Sequence, residues 1–368
     1  MNRIKRQRID DRTTTKFEHL SNDIMYELFE YLDQYNIYES FYPLNTRFQD
    51  LICASTLPFH IGRVSISKPT FDRFYDDIIL KNMHRISSLV LAEPLNIFYI
   101  PLLLQNTSKF AQLKSVTFFY IDLNYVKNTL NCLVFSRTLC SLAIQSTNVQ
   151  CITNTTEFYQ SIFQLSTLKY FKLSFVSGVF TDLLRISPDE EPSSIEHFVL
   201  NCHCTWQFLA ALLSYVPRLR RLFIHGLHGD AHNQAEEFFN VPNELIRVSL
   251  CLFSIEFDQF SELSTILFSN LQVLHLSVYN RQYINAIKWE ELIRSSMPYL
   301  RVFDIKCADS TLFKDQNDNS ISCQSIMHDF KSSFWIERQW FFTHRHHCEK
   351  KPNEIFYSAK PYKYLFLN

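Results

Sequence analysis

The chain has 368 residues, a net charge of −1, 46% hydrophobic and 20% charged residues. That balance fits an ordered soluble fold of one extended domain, or one domain plus a small module, and excludes polyanion binding driven by overall charge, so nucleic acid is not an expected partner. Only four glycines occur, against an average usage of roughly 7%, and Gly62, Gly178, Gly226 and Gly229 form neither GxGxxG nor GxxxxGK[ST], which excludes the common phosphate-cradling enzymes.

The first segment, "MNRIKRQRIDDRTTTK", has no apolar core and reads as a disordered basic tail over 1–16 rather than a signal peptide. Its Arg3, Lys5, Arg6 and Arg8 also fit a nuclear localisation signal. The longest apolar run, Ile97 to Leu104, is too short to cross a bilayer, so no membrane contact is expected. The ten cysteines show no pairing pattern and read mostly as buried free thiols in a reducing compartment, cytoplasmic or nuclear.

Residues 17–58 form the next unit. Leu20, Ile24, Leu28 and Leu32 fall four apart and predict a helix with one apolar face. Ser21 or Asn22 suits its N-cap, with Asp23 and Glu27 near the positive end. Phe41, Leu44, Phe48 and Leu51 repeat the helical spacing. A unit this small buries too little surface to stand alone and needs a partner.

In that order, Leu20, Asp23, Ile24, Leu28, Phe29 and Leu32, followed by Arg47, Phe48 and Leu51, this segment resembles an F-box. Ser21 stands where the family has Pro, and Phe48 where it has Trp. The resemblance implies docking on a Skp-type adaptor, and through it on a cullin scaffold. The implied adaptor contacts are Leu20, Ile24, Leu28, Phe29, Leu32, Phe48 and Leu51. The alternative is that these helices only cap the end of a solenoid formed by the rest of the chain.

From residue 59 a frame of apolar-x-x-apolar-x-apolar recurs ten times. It begins at Ile61, Ile86, Leu113, Leu139, Leu168, Ile195, Leu219, Leu245, Leu271 and Leu300, at intervals of 24 to 29 residues. Segments of helical spacing lie between, such as "TWQFLAALLSYVPRL" and "WEELIRSSMPYL", with Pro217 or Pro298 where a helix should stop. Each unit is predicted to be a strand followed by a helix, an α/β class.

Over 59–309 the chain resembles the leucine-rich-repeat family, although the Asn or Cys ladder of that family is missing. The resemblance implies a curved solenoid of about ten units, strands parallel on the concave side and helices on the convex side. An F-box followed by such repeats resembles the substrate receptors of Skp–cullin–F-box ubiquitin ligases. The expected role is therefore binding of a protein substrate, without catalysis or cofactor. The alternative is a binding scaffold with no ubiquitin role.

Residues alternating with the frame should face the concave side. On the later strands His197, Arg221, Phe223, His225, Arg247, His275 and Lys306 form the expected substrate surface. Arg221 and Arg247 should sit about 5 Å apart on neighbouring strands, ringed by His197, His225 and His275. Such a patch suits an acidic or phosphorylated segment, unless acidic loops neutralise it.

His197 with Cys202, His203 and Cys204 suggests a metal only superficially. Alternate strand residues point to opposite faces and no CxxC pair exists, so no metal is expected. His225, His228 and His232 in "IHGLHGDAH" read as solvated loop residues, and "THRHHC" as an exposed turn. Residues 310–368, rich in aromatics around "FKSSFWIERQWFF", read as a capping segment for the last unit.

Overall fold

In the computed structural model the frame residues become strands of one sheet. The structure describes residues 17–54, 59–61, 67–92, 109–121, 123–134, 136–148, 155–180, 192–229, 244–309, 328–347 and 353–359. The basic tail and His232 lie outside the described residues.

The strands are β1 Phe59–Ile61, β2 Ile86–Ala92, β3 Ser115–Phe119, β4 Ser141–Asn148, β5 Tyr170–Phe180, β6 His197–Thr205, β7 Arg221–His228, β8 Arg247–Phe253, β9 Val273–Val278, β10 Val302–Asp309, β11 Phe341–His347 and β12 Asn353–Ala359. They form a single open twelve-stranded sheet in the order β1 to β10, then β12, then β11. Strands β1 to β10 are parallel, and β12 and β11 close the sequence antiparallel.

Register follows the frame. The central frame residues Leu89, Val116, Leu142, Phe171, Phe198, Leu222, Val248, Leu274 and Phe303 pair one with the next in an unbroken row. All are buried in one continuous core. The first copy differs from expectation. Ile61 pairs with Leu89, so it occupies the central position and does not open the frame. The strand is only three residues long, and its register shifts between Phe59 and His60.

Helices cover the frame face. They include α4 Lys68–Phe74, α5 Leu123–Leu133, α6 Thr155–Phe163, α7 Trp206–Tyr215, α8 Phe257–Leu267 and α9 Ala286–Ser296. Thr205 and Asn285 cap α7 and α9 by accepting from the N–H of Phe208 and Lys288. Both helices end just before Pro217 and Pro298, as the residue preceding proline disfavours helix. Trp289 of α9 shows how helix, neighbouring helix and strand share a core. Its ring lies 4.7 Å from Phe303 of β10 and 5.0 Å from Phe257 of α8, and its Nε1 donates to the Tyr283 carbonyl at 2.8 Å.

The N-terminal segment forms α1 Asn22–Glu30, α2 Gln34–Phe41 and α3 Thr46–Ala54. Ser21 caps α1, accepting from the Ile24 N–H. Phe41 and Phe48, expected on one helix, lie on two, because a turn holding Pro43 separates them and leaves Leu44 exposed. Asn45 restarts the chain as helix by accepting from the Phe48 N–H at 3.2 Å. Arg47 binds α3 back to α1, donating to the carbonyls of Glu18 and Leu20 and to Asn22 Oδ1.

This module packs against α4 and the π-helical turn Tyr75–Ile79 that continues it. Tyr35 and Tyr38 meet Phe74 at 5.5 and 5.2 Å, and the Tyr38 hydroxyl donates to Asp77 Oδ2 at 2.9 Å. Burial, then that hydrogen bond and the Asp77 charge, push the Tyr38 phenol up to about 12. Its contribution is therefore full below the ordinary tyrosine pKa of about 10 and lost as pH rises toward 12. Tyr38→Phe should cost about 1 kcal/mol at neutral pH. In urea titrations the gap to wild type should close as pH rises through that window, and a gap that does not depend on pH would exclude the Tyr38–Asp77 bond as its source.

At the other end α10 Ser333–Glu337, β11 and β12 bury Phe334, Trp335, Trp340 and Phe356. The Phe303 ring lies 5.7 Å from Trp340, and Phe342 stacks on Phe356 at 5.5 Å. Thr343 to His347 lie in β11, paired with β12, and are not the expected turn. The aromatic density of the preceding residues carries the strand into the core. The described cysteines are all free thiols, but only Cys202, Cys204 and Cys307 are buried, fewer than expected. Their frame-face or strand-end positions decide this, not their residue type.

Candidate functional site

Two surfaces bring the expected residues together. On α1, Met25 and Phe29 turn inward, and Phe29 meets Phe41 edge-on at 5.3 Å. One hundred degrees of helical rotation per residue then leaves the other face outward. Ile24, 43% exposed, and Leu28, 37%, lie on that face; the helix is shorter than the four-residue spacing predicted, so Leu32, 40% exposed, follows its end and Leu20, half-buried, precedes it. Phe29, Phe48 and Leu51, expected as partner contacts, are instead core residues; Phe48 is 0% exposed. The module uses them to hold its own three helices together. Tyr31, 88% exposed beside Leu28, is a surface residue that the four-residue spacing passed over.

The second surface is the open face of β6 to β10. Register aligns His197, Arg221, Arg247 and Val273 in one row across the strands. The next row holds Phe223, Ser249, His275 and Asp304, and a third holds Cys251, Ser277 and Lys306. Arg221 and Arg247 are therefore immediate neighbours, with His197 beside them. Burial, then Arg221 and Arg247, hold the His197 imidazole below its ordinary pKa. Burial and then Arg221 also lower that of Arg247.

The expected ring of histidines does not form. His275 sits one pleat away, with Nδ1 3.4 Å from Asp304 Oδ2, so the sheet itself supplies its acid. His225 lies further along β7, past Phe223, where the register to β8 shifts. Two residues along a strand move a side chain about 7 Å, enough to divide one patch into two.

His225 instead lines a pocket of about 220 Å³ with Phe223, Cys251, Ser277, Tyr279 and Lys306. Cys251 and Ser277 are the small floor. Phe223 bounds one end and Tyr279 the other. Sequence reasoning missed Tyr279 because it follows the end of β9, where two-residue alternation stops. The signal was its matching place to Phe253, on which it stacks at 5.1 Å.

That aromatic row continues through His228, stacked on Phe253 at 5.1 Å, to His203, whose Nδ1 lies 2.7 Å from His228 Nε2. The expected loop is thus strand as far as His228; His203 and His228 are half-buried ring contacts, while His225 is exposed as expected. Glycine makes this possible, since a Cβ at Gly226 would lie 2.4 Å from His203 Nδ1. Burial, then His228 and His225, lower the His203 pKa. Among the described residues no group of three His, Cys, Asp or Glu side chains could hold a metal ion.

Both His197 and His203 favour the neutral form when folded. Their contribution to stability is complete above about pH 6.5 and lost as pH falls through their depressed values. A histidine NMR titration should place His197 below the free imidazole, and Arg221→Ala should move it upward. A His197 that titrates at or above the free value would contradict the aligned arginine row.

Among the described residues no helix is long and apolar enough to cross a membrane. No protein-family model matches the chain, and no curated protein matches it in sequence.

Proposed function

We propose that the chain is the substrate-recognition subunit of a Skp–cullin–F-box ubiquitin ligase, with α1 to α3 as the F-box and β1 to β10 with their helices as a leucine-rich-repeat solenoid. The observation that carries the reading is the outward stripe of Ile24, Leu28 and Leu32 on a module whose own core lies on the opposite face. Exposed apolar side chains grouped along a helix and the turn that follows it are what a docking surface requires. The in-register row of central frame residues supports the solenoid, as each strand and helix then buries its neighbour's face. Its open strand face, concave in such a solenoid, would hold a protein substrate, acting by binding and without cofactor or catalysis, in cytoplasm or nucleus.

A second reading has its own observation. Tyr35 and Tyr38 dock the module on Phe74, as a solenoid cap would. A cap accounts for α2 but leaves the α1 stripe without a role. Co-expression of the full chain with a Skp-type adaptor and a cullin separates the two. Stable co-purification of all three supports the receptor; a chain that elutes alone leaves the capped scaffold.

A further inference from the structure

Among the described residues the open face of β6 to β10 carries Arg221, Arg247 and Lys306 and one acid, Asp304, whose Oδ2 lies 3.4 Å from His275 Nδ1. At the nearby edge Glu196 is taken up by Lys169 at 2.9 Å. The Arg221 side chain is exposed and makes no hydrogen bond or ion pair among the described residues, its backbone N–H alone donating to the Glu196 carbonyl. Arg221 thus presents a charge that the described residues of this face leave uncancelled.

The charge and the pocket have a fixed relation. Arg247 and Cys251 lie on one strand, four residues apart, so the arginine row and the pocket floor are separated by about 13 Å. An extended peptide covers that distance in about four residues. The floor of Cys251 and Ser277 is small, while Phe223 and Tyr279 at its ends are large, which makes a slot for one bulky side chain.

We propose that this face takes a short linear segment of a partner protein, with an anionic side chain, carboxylate or phosphate, on Arg221 and Arg247 and a bulky apolar side chain about four residues away in the slot between Phe223 and Tyr279. The proposal rests on the reading that the open face binds substrate, and names the class of segment bound. Arginine supplies paired donors to carboxylate or phosphate, and Lys306 and His225 beside the slot favour further acid near the apolar anchor.

The test uses the full chain without adaptor, so that its outcome is separate from that of the ligase reading. A displayed library of random dodecapeptides should enrich an acidic residue and a Phe, Leu, Trp or Tyr at the stated spacing. Matched synthetic peptides carrying Glu or phosphoserine at the anionic position then distinguish carboxylate from phosphate. Arg221→Glu should weaken capture of either by about tenfold or more. Ser277→Trp, which fills the slot, should remove the apolar preference and keep the acidic one. Tyr279→Ala, at an exposed position, should weaken that preference without touching the core. No enrichment, enrichment of basic or uncharged peptides, or variants that bind as the folded wild type does would overturn the proposal. Selection of the motif by a chain that takes no adaptor would uphold it and remove only the ligase role.

Discussion

An Ile24→Asp, Leu28→Asp variant of the full chain should lose capture by a Skp-type adaptor while its sheet stays folded. Both side chains lie on the outward face of α1, so the change leaves the buried Met25 and Phe29 in place. Asp at position 24 falls in the first turn, where the helix dipole favours it; Asp at position 28, near the C-terminal end, costs a few tenths of a kcal/mol. The loss at the interface is far larger. Truncating a central apolar anchor costs about 2 kcal/mol, and two such anchors replaced by carboxylates that must be desolvated give about a thousandfold weaker binding. Circular dichroism and melting should match wild type. Adaptor binding that survives the double change would end the F-box reading, and so would wild-type chain that never binds. Phe48→Asp is not an equivalent experiment, because Phe48 is buried against Phe41 and its loss would unfold the module.

The most damaging single change expected in the sheet is Leu222→Asp. Leu222 lies in the buried row between Phe198 and Val248, both apolar and buried themselves. Burying that group charged, or holding it protonated at neutral pH, should cost more than about 4 kcal/mol, a large part of the stability of an ordinary domain. Because β7 touches β6 and β8 but not distant strands, damage should spread by neighbours. Hydrogen exchange should show residues 197–205, 221–228 and 247–253 losing protection together, while 86–92 and 115–119 keep theirs. Loss confined to β7, or equal loss across every strand, would show that stability is not passed from unit to unit.

The parts of this molecule that repeat were legible in its amino acids alone. An apolar-x-x-apolar-x-apolar frame states which side chains of a strand face inward, and the nine copies from Ile86 onward pair in the expected register because one misplaced residue would turn every frame side chain to solvent. Pro217 and Pro298 marked helix ends, and four-residue spacing marked a stripe of apolar residues of which Ile24 and Leu28 lie on α1 and Leu20 and Leu32 flank it. Faces and distances between elements were not legible. Apolar spacing names a helix's greasy residues without saying which of them meet the core, so Phe29, Phe48 and Leu51 were indistinguishable from Ile24 and Leu28 until α2 and α3 were packed on α1. Alternation places Arg221, His225 and His275 on one face, yet only the register shift in β7 and the His275–Asp304 pair divide that face into an arginine row and a pocket. Tyr279 joins the pocket from beyond its strand, through a stack on Phe253 that no sequence period encodes. Local pattern is set by chain geometry, one residue to the next; the site is set by which strands end side by side, and that is decided only when the whole chain packs.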